Sequence, residues 1–238
     1  GLFEDPYVDP DEAERIVASD ANRRLAREGA QKAITLLKNE GDALPLDLDR
    51  LSTIAVVGPN ADRSLLGGYS GVPPVDVTVL DGIRAHVGDR AEVVHAEGCR
   101  ITVGGAWNLD EVTPSDPEED RRLIAEAVEV ARGADVAVLA LGGNEQTARE
   151  SWARNHMGDR TSLELVGLQN ELVAAVLATG TPVVVLLFNG RPLAIQQIAD
   201  TVPAICECFY LGQETGHAVA DVLFGDVSPT GKLPITVP

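Results

Sequence analysis

The run VVVLLF, Val183–Phe188, constrains this chain more than any other stretch, because it contains no polar residue. A strand with one face in water alternates polar and apolar residues. A strand covered on both faces stays apolar throughout. Thr181-Pro182 and Asn189-Gly190 bound the run, and such residues punctuate strands. A second run, Val136–Leu141, is β-branched at its start and stops at Gly142-Gly143. Both are read as buried strands of a mostly parallel sheet, which needs helices on each face.

The rest of the chain fits that frame. From Leu51 onward, strand and helix patterns alternate. Strands are predicted at Ile54–Val57, Glu92–Ala96 and Ala204–Cys208, with a last one at Leu233–Val237. Helices are predicted at Thr78–Val87, Glu118–Ala131, Glu164–Ala178, Leu193–Ala199 and Glu214–Phe224, with Thr78 as a cap. Residues 11–39 carry apolar residues at roughly helical spacing, with Ser19 or Asp20 capping a fresh start, and Gly41 ends that pattern. The fold class is α/β, a three-layer α/β/α sandwich with a mostly parallel sheet of about six strands. Residues 1–50 are expected to be a linker and helical arm, and 51–238 the sandwich domain.

Charge narrows the partners. The formal net charge is -18, so phosphate backbones and anionic membranes would be repelled. A neutral substrate and a soluble protein fit better, and no run is long enough to span a bilayer. No signal peptide is visible, and the compartment stays open between cytoplasmic and secreted. Cys99, Cys206 and Cys208 form neither a metal clip nor a disulfide framework, and the four histidines make no metal motif. No cofactor is expected: Gly58 and Gly142-Gly143 lack the G-x-G-x-x-G spacing of dinucleotide sites.

Ligands of open α/β sheets sit beyond the carboxyl ends of strands. The loop after Val136–Leu141 is therefore the first place to look for chemistry. It carries Glu145, Arg149, Glu150, Trp152, Arg154 and His156. A solvated loop charge is the ordinary fate of a glutamate, and a lone histidine is usually a local hydrogen-bonding group.

Several segments together resemble one family. They are GLFEDPYVD, AREGAQKAITLLKNEGDALPL, IAVVGPNAD, LGGYSG, GADVAVLALGGNEQT, GDRTSLEL, PVVVLLFNGRPLAI and GQETGHAVADVLFGDVSPTGKLPIT. In this order they are similar to the C-terminal α/β-sandwich domain of glycoside hydrolase family 3, the β-glucosidase and β-xylosidase family. The resemblance implies an exo-acting, retaining β-glycosidase whose TIM-like barrel lies outside this chain and supplies an aspartate nucleophile. The piece alone would then be inactive. It also implies an acid/base glutamate on the loop LGGNEQTARESW, with Glu150 first and Glu145 second. A departure from the family pattern, the insertion SWARNHMG, separates Glu150 from Asp159. Asp159-Arg160 is expected to be a loop-anchoring ion pair. Arg149 would bias the neighbouring carboxylate toward its ionised form. Tyr69, in LGGYSG, and Trp152 would offer aromatic faces to the sugar, whose C–H face packs on rings without costing hydroxyl hydrogen bonds. Trp107 is expected to pack. The alternative reading is a non-catalytic carbohydrate-binding or scaffold domain.

Overall fold

The computed structural model describes residues 1–104, 108–151 and 156–237. In chain order these form α1 (Pro10–Ile16), α2 (Asp20–Ala33), β1 (Thr35–Asn39), β2 (Thr53–Val57), α3 (Val79–Val87) and β3 (Glu92–Ala96). They continue with α4 (Pro117–Arg132), β4 (Val136–Gly142), α5 (Gln169–Leu177), β5 (Val183–Phe188), α6 (Gln196–Thr201), β6 (Ala204–Glu207) and α7 (Thr215–Leu223). The sheet has six strands in the order β1-β6-β5-β4-β2-β3. All pairings are parallel except β1 with β6.

The apolar runs sort residue by residue onto two faces, as the period of two requires. Val184, Leu186, Cys206 and Cys208 face one layer, with Val138 and Ala140, against α2, α3 and α7. Val183, Val185 and Leu187 face the other, with Leu139 and Leu141, against α4, α5 and α6. Both faces of β4 and β5 are thus covered, which is why neither strand shows a polar residue. Local chemistry starts the helices. The Thr78 side chain accepts from the Asp81 amide at 3.1 Å, and Asp116 caps α4 ahead of Pro117. Among the described residues, no helix is long and apolar enough to cross a membrane.

Three expectations are corrected here. The fresh start expected at Ser19 or Asp20 is present, with Ala18 at a φ of 54° and Ser19 capping α2, but the helical pattern does not run on to residue 39, because Ile34 ends α2 in extended geometry. Thr35–Asn39 then becomes an antiparallel edge strand, pairing Thr35 with Glu207 and Asn39 with Ala204. The spacing of Ile34 and Leu37 satisfies a helix as well as a strand, and the open edge of β6 decides between them. Leu233–Val237 forms no strand, because β1 already fills that edge and Pro234 has no amide to donate. Residues 164–168 lie outside α5, as Glu164 instead bridges Ala194.

Charge adds to the apolar contact that Ala30 gives in holding α2 to α7. Arg27 and Gln31 both donate to Asp221, which is 2% exposed, and Arg23 Nε donates to Glu214 at 2.7 Å. Burial alone would push the Asp221 carboxyl up. The Arg27 and Gln31 hydrogen bonds outweigh it and hold the carboxyl below its ordinary value. The opposite side of α2 leaves Leu25 exposed.

Candidate active site

The parallel strands β2, β4 and β5 end on one side of the sheet, so the loops that follow them share that side. The loop after β4 starts from a rigid base. Gly142 has a φ of 134°, and a Cβ there would lie 1.9 Å from the Phe188 carbonyl oxygen, so only glycine fits. Gln169 brackets the same residue, accepting from its amide at 2.8 Å and donating to its carbonyl at 2.9 Å. Asn144 Oδ1 then accepts from the Gln146 and Thr147 amides, each at 3.1 Å, and its Nδ2 donates to Thr102. Asn60, from the loop after β2, donates to the Gly143 carbonyl at 3.1 Å.

Beyond that base lies a cleft of about 560 Å³, lined by Gly68, Tyr69, Glu145, Ala148, Arg149, Glu150, Gly190 and Tyr210. Four of the five residues singled out from the sequence, Tyr69, Glu145, Arg149 and Glu150, meet here. Trp152 lies outside the described residues, as does Trp107. Tyr69 stands 95% exposed at the rim of the cleft. Glu150 is exposed, whereas Glu145 is partly buried, with Arg63 Nη2 at 3.9 Å. Tyr210 lines the cleft with a phenol whose ionisation burial pushes up, so it stays neutral.

Arg149 is tied to the loop ahead of α4. Its Nη2 donates to the Leu109 carbonyl at 2.9 Å, and Asp110 is the carboxylate whose field raises its pKa against the larger effect of burial. The ion pair expected between Asp159 and Arg160 is also replaced. Asp159 Oδ2 accepts from the Ser151 amide at 3.1 Å, and the Arg160 guanidinium donates to the Glu164 carbonyl. His156 accepts from the Gly158 amide at 3.4 Å, a local bond.

Sequence reasoning missed Arg63, Gly190 and Tyr210. Each follows the carboxyl end of a strand (β2, β5 and β6), so the rule that pointed to Glu150 reaches them too once the strand order is known. Among the described residues, His86, Asp221 and Asp226 bring ligand-type atoms within 4.8 Å of one another. Asp221 already spends its oxygens on Arg27 and Gln31, which leaves the cluster poorly suited to a cation.

A second hollow of about 380 Å³ shares Gly190 and Tyr210 with the cleft and contains Glu207. This side chain is 3% exposed, and burial pushes its carboxyl up to about 7, although the Phe209 amide donates to it at 2.9 Å. An unfolded glutamate titrates near its ordinary 4.5. Between that value and about 7, the folded state therefore holds a proton that the unfolded state has released. Stability falls as pH rises through this window and levels off above it. Glu207→Gln is expected to flatten that slope and to raise stability at pH 8, as read from denaturant midpoints across the pH range.

The fold and the cleft define a class: an α/β sandwich that presents carboxylates and an aromatic rim at the carboxyl ends of its strands. Residues 34–238 match the model of the glycosyl hydrolase family 3 C-terminal domain, and the chain belongs to that family. It is 39% identical over 246 residues to a beta-xylosidase of Formosa agariphila, covering 100% of this chain and 31% of that protein. It is 41% identical over 252 residues to a periplasmic beta-glucosidase of Salmonella typhimurium, covering 100% of this chain and 32% of the relative. The solved structure of a β-glucosidase from Erythrobacter marinus superposes with a TM-score of 0.94 at 47% identity, over 99% of this chain and 32% of that one. The chain thus spans about a third of the length of the relatives it matches.

Proposed function

We propose that this chain supplies the acid/base glutamate to a retaining, exo-acting β-glycosidase that removes terminal β-linked glucose or xylose. The nucleophile would come from a TIM-like barrel elsewhere in the longer enzyme. In this reading, residues 1–50 form the connecting arm, with β1 woven into the domain's own sheet.

The observation that carries the proposal is the convergence of Glu150, Glu145 and Tyr69 on one cleft at the strand ends. Retaining hydrolysis needs a second carboxyl about 5–5.5 Å from the nucleophile, able to give a proton and then take one back. An exposed glutamate on a loop can be brought to such a partner surface. Once there, burial and the nucleophile's negative charge would raise its pKa toward the working range of a general acid. Glu150 protonates the glycosidic oxygen as the bond breaks. It then takes a proton from the water that attacks the glycosyl-enzyme. Tyr69 packs against the leaving-group sugar. Glu145 faces Arg63, which suits a carboxylate that stays ionised and binds hydroxyls.

Azide separates the two glutamates, since it attacks a glycosyl-enzyme without help from a base. In the complete enzyme, azide should restore turnover of an activated aryl glycoside to Glu150→Ala and yield a β-glycosyl azide. Glu145→Ala should show no such rescue. Rescue of Glu145→Ala alone would move the role to Glu145. Rescue of neither would reduce the loop to binding.

A further inference from the structure

A loop glutamate makes a poor acid unless something fixes where its carboxyl points, and Glu150 lies in no regular element. The main chain on either side of it is nevertheless gripped. On one side, Arg191 Nη2 donates to the Arg149 carbonyl at 3.2 Å. On the other, the Ser151 amide donates to Asp159 Oδ2 at 3.1 Å. Gly158 lies directly against the same three residues. A Cβ there would sit 2.2 Å from the Arg149 oxygen, 2.9 Å from the Glu150 carbonyl carbon and 3.0 Å from the Ser151 nitrogen.

The gripping residues share one foundation. The Ala194 amide donates to the Leu163 carbonyl at 2.9 Å, and Glu164 pairs with Ala194 as a short parallel bridge. Arg160 ties back to the Glu164 carbonyl, and Leu165 and Leu193 anchor the two segments in the core. Buried Asn189, at the end of β5, donates to the Arg191 carbonyl at 2.9 Å. Residues 158–165 and 189–194 therefore form a platform rooted on β5. Asp159 sits on it at a φ of 46°, a left-handed conformation that Asp and Asn tolerate better than other side chains.

We infer that Asp159 and Arg191, acting over Gly158, are positioning residues that aim the Glu150 carboxyl at the glycosidic oxygen. The inference rests on Glu150 being the acid/base. Neither residue need touch the reacting atoms. Each fixes the backbone that carries the proton donor, and a misplacement of about 1 Å can cost on the order of 100-fold in rate.

The test uses the complete enzyme with Asp159→Ala, Asp159→Asn, Arg191→Met and Glu150→Ala, assayed on an alkyl glycoside and on an activated aryl glycoside. Asp159→Ala and Arg191→Met should each lower kcat on the alkyl glycoside by about 10–100-fold, with KM little changed. The glycosylation burst on the activated substrate, which needs little protonation, should stay close to that of the parent. Asp159→Asn keeps both the acceptor oxygen and the left-handed backbone, so it should recover most of the loss. Equal losses on both substrates, or parent-like rates on both, would overturn the inference. If Asp159→Ala does not fold, Arg191→Met decides, because it leaves the backbone at residue 159 intact. Glu150→Ala keeps the two failures apart. If it shows the leaving-group dependence and the platform variants do not, only the positioning role falls. If it shows none, the reading of Glu150 falls first and takes this inference with it.

Discussion

Glu150→Ala, made in the complete enzyme, is expected to slow hydrolysis of alkyl glycosides and oligosaccharides by about 10²–10⁴-fold, the usual contribution of a general acid–base group. The loss should shrink as the leaving group improves. A phenolate bearing electron-withdrawing groups departs without full protonation, so bond cleavage hardly uses the missing acid. The second step would then limit the rate, because no base activates water, and a glycosyl-enzyme should accumulate after a fast burst. The structure adds a reason to expect a clean result. Glu150 is exposed and makes no ion pair among the described residues, so its truncation leaves no charge stranded. Burst amplitude and steady-state rate across a series of aryl leaving groups measure the effect. A uniform loss over the series would mean that Glu150 contributes binding rather than a proton.

The largest stability effect should come from Gly216, where α7 passes α3 with no side chain between them. A Cβ on Gly216 would lie 1.8 Å from the Thr78 carbonyl oxygen and 3.0 Å from the Gly82 nitrogen. The clash is with backbone on both sides, so no rotamer change relieves it. The Gly82 amide is already spent on the Thr78 carbonyl at 2.9 Å, and the Gly216 amide on the Val77 carbonyl at 2.9 Å. Parting the helices would also open the layer around Val79, Ile83 and Val219. Gly216→Ala should therefore cost about 3–5 kcal/mol, above the usual range for overpacking and near the size of a whole domain's margin. Chemical denaturation reads it directly. A cost below about 1 kcal/mol would show that the helices slide apart easily.

What could be read from residue order follows the physics of burial. β4 and β5 are covered on both faces, so their sequences had to be apolar throughout, and glycine or proline had to bound them. α3 announces itself through Thr78, because a helix start needs an acceptor for its free amides, and α4 through its apolar pattern from Glu118, its cap Asp116 being visible only in the structure. β1 was hidden for the converse reason. It is an edge strand of five residues, TLLKN, and its partner β6 is 165 or more residues away in the chain. Nothing local records that pairing. The Leu233–Val237 stretch has a strand-like pattern, but β1 already occupies the β6 edge and Pro234 has no amide to donate. In the cleft, Glu145, Arg149 and Glu150 were legible because one loop carries all three. Arg63 and Tyr210 arrive from other loops. They become neighbours of Glu145 only through the crossover order β6-β5-β4-β2, which no short motif encodes.

The antiparallel pairing of β1 with β6 also bears on self-association. β6 has only four residues, all buried, and β1 caps its hydrogen-bonding edge. A version trimmed to start at residue 51 would keep every parallel strand yet bare an apolar row of unpaired amides and carbonyls. Such an edge recruits strands from other molecules. β1 thus acts as a plug on the β6 edge, and its removal would favour a sheet that grows by adding copies of itself.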